Sequence, residues 1–349
     1  MKTTSHEPSL PHESSIPFIT DGGLETTLVF HERIELPCFA AFILLKDAGG
    51  RDMLRNYYRT YARLAVRFGA GFVFESPTWR ANPDWATKLG YSPAELEAAN
   101  RDGIRLMHEV LAECETPDSP MVISGCVGPR GDGYQVGAVM SPEEAARYHE
   151  PQLRTYRDAG ADLVSAITMT YTEEAIGIAN AAAALGIPAV ISFTLETDGR
   201  LPSGQALQAA IQTVDAQADK APAYYMINCA HPTHFAAELS TDAPWVARIA
   251  GLRANASCRS HAELDASPDL DAGDPDELGA QYRQLRELLP RLNILGGCCG
   301  TDHRHIEAIC ACCLAPQVAF SIPAYHCHIS ESPWPSRAQT NQCVSFSGS

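Results

Sequence analysis

Short apolar runs and longer amphipathic segments alternate along most of the chain. A run of four to seven mainly apolar residues predicts a buried strand, and apolar residues spaced three and four apart predict a helix. Strands are predicted over residues 16–20, 71–75, 121–124, 162–168, 188–194, 224–228, 248–253 and 292–295. Helices are predicted over residues 53–68, 92–113, 141–159, 172–185, 205–217, 234–239, 275–289 and 302–312.

The order of these elements predicts the fold. Strands that alternate with helices imply a parallel sheet, and eight such units favour a closed barrel over an open sheet. No Gly-x-Gly-x-x-Gly segment follows the first strand, which argues against a dinucleotide-binding fold. The predicted class is α/β, a single-domain (β/α)8 TIM-type barrel over residues 16–316. Residues 1–15 are predicted to be an N-terminal extension and residues 317–349 an irregular C-terminal tail.

Composition narrows the range of partners. The 349-residue chain is 45% hydrophobic, enough for a substantial core, and carries a formal net charge of −16. Nucleic acids and anionic membranes would repel a chain of this charge. No stretch of the sequence is apolar over the length of a membrane span, and its first residues lack the apolar region of a secretory signal. A cytoplasmic protein that acts on small molecules is predicted, with a homo-oligomer left open. Its twelve cysteines are then expected to be reduced.

Three cysteines follow predicted strands. Cys229 follows the sixth strand, and the adjacent Cys298 and Cys299 follow the eighth. Glycines on both sides of Cys298 and Cys299 allow a tight turn. In a parallel barrel these strand ends lie on one face. Three thiolates make a soft site suited to Zn²⁺, with a fourth position open for substrate. The alternative is that they are inert buried thiols, which is the usual role of a lone buried cysteine.

The last predicted helix offers rival ligands, because Cys310, Cys312 and Cys313 could bind a metal together with Cys298 and Cys299. All ligands of one zinc ion lie about 2.3 Å from the ion, whereas a helix roughly 15 Å long cannot bring its far end to the turn at its start. Cys310, Cys312 and Cys313 are therefore interpreted as packing or surface thiols.

Four segments together resemble the zinc-dependent homocysteine S-methyltransferases, which include betaine- and S-methylmethionine-dependent enzymes. They read Asp21-Gly22-Gly23-Leu24-Glu25-Thr26, Gly128-Pro129-Arg130-Gly131-Asp132, Asn228-Cys229 and Gly296-Gly297-Cys298-Cys299-Gly300-Thr301. The resemblance covers about residues 17–316. It implies a TIM-type barrel with Cys229, Cys298 and Cys299 as zinc ligands. It also implies transfer of a methyl group to the thiol of homocysteine, which gives methionine.

The predicted site suggests its own chemistry. A free thiol is mostly protonated at neutral pH, and only the thiolate is nucleophilic. Zn²⁺ with an open position would remove that proton. The methyl donor must carry a good leaving group, as do the sulfonium and quaternary ammonium compounds S-methylmethionine, S-adenosylmethionine and betaine. Transfer is then a direct in-line displacement in which no side-chain general base takes part.

Several residues near the strand ends are candidates for holding the substrates. The amides of Gly22 and Gly23 are suited to a carboxylate and Asp21 to an ammonium group, although Asp-Gly is also common turn chemistry. Thr78 and Trp79 follow the second strand, where the family has a threonine-aromatic substrate segment. The aromatic face of Trp79 is suited to a cationic donor, and plain packing is its alternative role.

One position departs from the family pattern. Many members place a glutamate before a threonine at the end of strand four to bind the homocysteine ammonium, and Ile167 occupies that place here. Glu196, just past strand five, is predicted to replace the missing carboxylate, with a solvated loop charge as the alternative. Asn228 is predicted to orient Cys229, or else to cap the strand end.

The sequence thus favours a zinc-dependent S-methyltransferase that acts on homocysteine. A methyltransferase for a different small thiol or selenol remains an alternative, because Ile167 leaves the exact acceptor open. A non-catalytic zinc- or thiol-binding regulator on the same barrel would need the fourth metal position closed by a protein group. A barrel enzyme of another chemistry, with unmetallated cysteines, is the third alternative.

Overall fold

Eight parallel strands close into a barrel in the order β1 to β8 in the computed structural model, which describes residues 10–239 and 243–314. The strands are β1 Phe18–Ile19, β2 Gly71–Glu75, β3 Met121–Val127, β4 Leu163–Met169, β5 Ala189–Thr194, β6 Tyr224–Asn228, β7 Ile249–Ala254 and β8 Ile294–Gly297. Phe18 pairs with both Gly71 of β2 and Ile294 of β8, which closes the ring. The predicted (β/α)8 TIM-type barrel is confirmed.

Helices connect the strands and cover the outside of the barrel. They are α1 Leu24–Thr26, α2 Ala48–Phe68, α3 Pro83–Lys88, α4 Pro93–Cys114, α5 Pro142–Ala159, α6 Thr172–Leu185, α7 Leu207–Gln217, α8 Pro232–Phe235, α9 His261–Asp265, α10 Pro275–Leu288 and α11 His303–Cys313. The helix predicted over residues 234–239 is instead the short α8 followed by a 3-10 turn, Ala236–Glu238. Both α4 and α5 begin with a capping box, at Ser92 and Ser141, which satisfies amides of the first turn.

Two elements are longer than their apolar patterns indicate. Helix α2 begins at Ala48 rather than at residue 53, because the Asp47 side chain accepts a hydrogen bond from the Gly50 amide and caps it. Strand β3 continues to Val127, three residues beyond the predicted end at 124. A side chain at Gly125 would overlap the ring of Tyr156, so the glycine that interrupts the apolar run is needed for packing.

The interior of the barrel changes from apolar to polar along the strands. Val73, Val122, Leu163 and Val190 belong to an apolar cluster inside the ring. Two residues further along the same strands come the buried polar side chains Glu75, Ser124, Ser165 and Ser192. Burying polar groups costs free energy unless they are paired, so a polar layer at the carboxyl ends of the strands is typical of a functional site.

No helix in the described part of the chain has both the length and the hydropathy needed to cross a bilayer. The C-terminal tail predicted over residues 317–349 lies outside the described residues.

Candidate metal and substrate site

The three cysteines predicted as metal ligands lie together at the carboxyl end of the barrel. Cys229 directly follows β6, and Cys298 and Cys299 directly follow β8. Their sulfur atoms all lie within 4.8 Å of one another. Among residues 10–239 and 243–314, these three cysteines are the group of His, Cys, Asp or Glu side chains close enough together to hold one metal ion. Cys310, Cys312 and Cys313 are not part of it.

Two of these sulfurs are joined. Cys229 and Cys298 form a disulfide, with their Cα atoms 5.4 Å apart, while Cys299 is a free thiol. The expectation of reduced cysteines concerns the compartment and stays a prediction. Cys229 and Cys298, 69 apart in sequence, converge because β6 and β8 end on the same face, with only β7 between them. Reduction of the pair must precede binding of one metal ion by all three thiolates.

The turns that carry the cysteines are fixed by specific backbone geometry. Cys229 adopts a φ of 50°, a left-handed conformation that is uncommon for a residue other than glycine and that often occurs at functional sites. After β8, the Cys298 carbonyl accepts hydrogen bonds from the Thr301 hydroxyl at 2.7 Å and from its amide at 3.1 Å. A Cβ at Gly297 would overlap the Thr301 side chain, so only glycine fits there.

A half-open cavity lies beside the cysteines. Its lining includes Asp21, Gly22, Gly23, Glu25, Glu75, Trp79, Cys126, Tyr134, Ile167, Thr168, Cys229, Arg253, Cys298 and Cys299. The structure thus brings the three cysteines together with Asp21, Gly22, Gly23 and Trp79 of the predicted substrate site. Thr78, Glu196 and Asn228 are outside this lining.

The first loop is largely occupied by contacts within the protein. The amide of Gly23 donates to the Thr301 carbonyl at 3.0 Å, so it is already used and is not available to a substrate carboxylate. The Asp21 carboxylate accepts from Arg253 Nη2 at 2.7 Å and from the Tyr57 hydroxyl at 3.0 Å. Asp21 and Arg253 are both buried, and together they form an ion pair inside the barrel.

The residues after β2 have different surroundings. Thr78 is fully buried, where its hydroxyl donates to the Cys126 carbonyl at 3.0 Å and accepts from the Tyr156 hydroxyl at 2.7 Å. Trp79 lines the cavity, and its indole nitrogen donates to the Ile167 carbonyl at 3.1 Å. The Arg80 guanidinium lies 4.0 Å from the centre of the Trp79 ring, so one face of that ring already meets a cation.

Asn228 contacts β4 and β5 through its side chain. Its amide oxygen accepts from the Thr168 amide at 3.0 Å and from the Ser192 hydroxyl at 2.6 Å, while its amide nitrogen donates to the Thr168 hydroxyl at 2.8 Å. Thr168 has a φ of 68°, which is strained for a β-branched residue. These three bonds therefore hold the strained end of β4, where Ile167 and Thr168 line the cavity.

Tyr134 was not identified from the sequence. Its ring is stacked on that of His261, with the centres 4.0 Å apart. Its hydroxyl lies 3.5 Å from the sulfur of Cys299 and 3.8 Å from that of Cys229. The residue belongs to the glycine-rich segment after β3, and a lone aromatic residue in such a loop gives no signal of its position in sequence.

Glu75 and Arg253 were also not identified, although the sequence contained a signal for both. Glu75 is the one charged residue of β2, Gly71–Glu75, and Arg253 is the one charged residue of β7, Ile249–Ala254. The other residues of both strands are apolar or glycine. A charge at the carboxyl end of a barrel strand is typical of a functional side chain.

Burial shapes the protonation of the site. It raises the pKa of the Cys299 thiol to about 11, and the hydrogen bond from Tyr134 opposes this shift. Burial likewise raises the pKa of Glu75 to about 7, although the nearby charge of Arg253 acts in the opposite direction. A buried thiol of high pKa is unreactive by itself and needs a cation to become a thiolate.

The chain was compared with known families and structures. The family model described as Homocysteine S-methyltransferase matches residues 18–313. The metallated form of the homocysteine methyltransferase MmuM from Escherichia coli has a TM-score of 0.66 at 20% identity, with 86% of this chain and 96% of that chain covered. The oxidized form has a TM-score of 0.68 at 21% identity, with 87% and 99% covered. No curated protein sequence matches significantly.

Proposed function

This chain belongs to the homocysteine S-methyltransferase family, and on that basis we propose that it transfers a methyl group to the sulfur of homocysteine, forming methionine. The observation that carries the proposal is the convergence of three cysteine sulfurs within 4.8 Å of one another in the lining of a cavity. The reaction requires an acceptor thiol to be bound and deprotonated at one point. The cavity offers that point, with charged side chains nearby to hold the acceptor's polar end.

We propose that Cys229, Cys298 and Cys299 hold one Zn²⁺ ion when they are reduced. Zinc–sulfur bonds are about 2.3 Å long, so sulfurs around one tetrahedral ion lie roughly 4 Å apart. The three sulfurs lie within 4.8 Å of one another, so opening the Cys229–Cys298 disulfide would allow them to take up this spacing. Three soft thiolates favour zinc over harder divalent ions. When bound, the ion would lower the pKa of the acceptor thiol so that it reacts as a thiolate.

The side chains around the site would then mainly orient the two substrates. In the transfer, a bond forms between the acceptor sulfur and the methyl carbon while the bond between that carbon and the donor breaks. The donor leaves with the electron pair, as a neutral thioether or amine. We propose a sulfonium or quaternary ammonium donor, because the cavity is lined by the carboxylates Asp21, Glu25 and Glu75 and a single cationic side chain, Arg253, and would attract a cation.

The test combines metal analysis with an activity assay. Reduced protein is expected to bind about one zinc ion per chain and to methylate homocysteine with at least one of S-methylmethionine, S-adenosylmethionine and betaine. Removal of the metal by a chelator, verified by mass spectrometry, should abolish transfer, and added zinc should restore it. Full activity after verified metal loss would contradict the proposed mechanism.

A specific contact favours a second candidate, a regulator that binds zinc or thiols without catalysis. Such a protein needs its fourth metal position closed by a protein group, and the Tyr134 hydroxyl lies 3.5 Å from the Cys299 sulfur. A tyrosine in this place can either orient a thiolate or occupy the position that a substrate sulfur would need.

The variant Tyr134→Phe distinguishes these roles. For the enzyme, we expect zinc to be retained and the transfer rate to fall about tenfold, because loss of a hydrogen bond that orients a ligand typically costs 10- to 100-fold. Zinc content by mass spectrometry and initial rates would be measured together. Tyr148→Phe is the matched control, since the Tyr148 hydroxyl donates to Asn82 and its ring does not line the cavity. Loss of zinc from Tyr134→Phe alone would favour the regulator.

A further inference from the structure

Two charged side chains in the cavity each present one polar atom without a partner. Glu75 is 4% exposed and Arg253 is 7% exposed. Among the buried side-chain atoms of the described residues, Glu75 Oε2 and Arg253 Nη1 have no hydrogen-bond partner. Both residues line the cavity that also contains the three cysteines. An unpaired buried donor or acceptor costs free energy, and a ligand that pairs with it removes the cost.

Glu75 lies beside polar groups of neighbouring strands. It is the last residue of β2, and the hydroxyls of Ser124 and Ser165 lie near its carboxyl group. Those two hydroxyls lie 2.8 Å apart on β3 and β4, inside the barrel. Because these hydroxyls bond to each other, Oε2 of Glu75 has no partner in the described part of the chain and can accept a hydrogen bond from a ligand.

Arg253 is fixed by hydrogen bonds within the protein. Its Nε donates to the Gly297 carbonyl at 3.2 Å, and its Nη2 donates to Asp21 at 2.7 Å. These bonds set the plane of the guanidinium and leave Nη1 as an unused donor. A fixed guanidinium with a free N–H is well suited to a carboxylate. Arg253 can therefore donate to a carboxylate, whereas the Gly23 amide cannot because it already donates to the Thr301 carbonyl.

The position that carries the ammonium-binding glutamate in many family members is apolar here. Ile167 is buried and lines the cavity, so no carboxylate enters from that position. Glu196, the replacement predicted from the sequence, is half-buried beyond β5 and does not line the cavity. It lies near Asp198 and His234, and burial together with Asp198 raises its pKa. Among the carboxylates that line the cavity, Glu75 has a buried oxygen without a partner, and this oxygen is suited to an ammonium group.

We propose that Glu75 and Arg253 bind the two charged ends of an α-amino-acid acceptor, an inference that rests on the proposed methyl transfer to an amino-thiol. Glu75 Oε2 accepts from the ammonium group, and Arg253 Nη1 donates to the carboxylate. The acceptor class is a thiol that carries both charges at one end. In this arrangement β2 and β7 replace β4 as the source of acceptor recognition.

The test measures dissociation constants by titration calorimetry on reduced, zinc-loaded protein. The probes are homocysteine, 4-mercaptobutyrate, which lacks the ammonium group, and 3-mercaptopropylamine, which lacks the carboxylate. We expect wild-type protein to bind homocysteine at least about tenfold more tightly than either analogue, because each analogue leaves one buried charged group unpaired. Equal binding of all three thiols would overturn the inference, and this comparison requires no variant to fold.

Variants then assign each charge to a side chain. Glu75→Gln is expected to weaken homocysteine binding about ten- to hundredfold and to leave 4-mercaptobutyrate unaffected. Arg253→Lys keeps a charge beside Asp21 and should weaken homocysteine and 4-mercaptobutyrate but not 3-mercaptopropylamine. Glu196→Gln tests the carboxylate predicted from the sequence and is expected to change binding by less than about twofold. A loss with Glu196→Gln or Glu25→Gln, and none with Glu75→Gln, would contradict the assignment.

These outcomes separate the inference from the proposed function. If wild-type protein methylates homocysteine and Glu75→Gln binds it equally well, the assignment fails and the proposed function stands. If zinc-loaded wild-type protein methylates none of the thiols with any donor, the proposed function fails. Calorimetry would still show whether the protein binds homocysteine, which carries both charges, more tightly than the two analogues. If it does not, the inference is overturned whatever the outcome of the activity assay.

Discussion

Replacing Cys298 by serine is expected to remove the metal and abolish methyl transfer while the barrel stays folded. The physical reason is that two remaining thiolates and a hydroxyl form a much weaker zinc site than three thiolates. The proposed ligands sit on turns beyond β6 and β8, whereas the core is made by apolar residues of the strands and helices. Zinc should fall from about one ion per chain to near zero by mass spectrometry. The circular dichroism spectrum should be unchanged.

Cys258→Ser is the matched control for this prediction. Cys258 is an exposed free thiol, so its loss removes a cysteine without touching the proposed metal site. Both zinc content and transfer rate should be retained by that variant, measured with reductant present so that the Cys229–Cys298 disulfide is open in the wild-type protein. Retention of zinc and of the full rate in Cys298→Ser would contradict the proposed site.

The largest effect on stability is expected from Arg253→Met. The Asp21–Arg253 ion pair is buried inside the barrel, with 2.7 Å between Asp21 Oδ1 and Arg253 Nη2. Removing one partner leaves the other charge buried and uncompensated, which typically costs about 3–5 kcal/mol. Chemical denaturation, followed by circular dichroism, would measure the change in the free energy of unfolding.

Two further variants check the cause of that loss. Asp21→Asn combined with Arg253→Met removes both charges of the pair, and should be more stable than Arg253→Met alone because the Asp21 charge is no longer left without its partner. Arg101→Met breaks an exposed pair with Glu97 on the surface of α4, and should cost less than about 1 kcal/mol. If Arg101→Met and Arg253→Met lower the free energy of unfolding equally, the buried pair contributes no more to stability than an exposed one.

Local patterns in the sequence predicted most of the fold. The apolar runs identify all eight strands, since a barrel strand is buried on both faces and must be almost continuously apolar. The ends of the elements were less well predicted. The start of α2 depends on the Asp47 cap and the length of β3 on the packing of Tyr156 against Gly125, neither of which changes the apolar pattern.

The sequence also predicted which cysteines converge. Strand order fixes which residues follow β6 and β8, and parallel strands place them on one face. This reasoning needs no side-chain positions, because it rests on chain topology alone. The disulfide between Cys229 and Cys298 was not predicted, since the redox argument from composition concerns the compartment and not the distance between two sulfurs.

The lining of the cavity was decided by the tertiary structure. Thr78, Glu196 and Asn228 follow or end strands as predicted, but they are outside this lining. Thr78 bonds to Tyr156, and the Asn228 side chain bonds to Thr168. Glu75, Arg253 and Tyr134 line the cavity together with the cysteines. Sequence position determines the end of the barrel at which a residue lies. The direction of its side chain and the partners that satisfy its polar atoms depend on strand register and on neighbours distant in sequence, and these exist only in the folded chain.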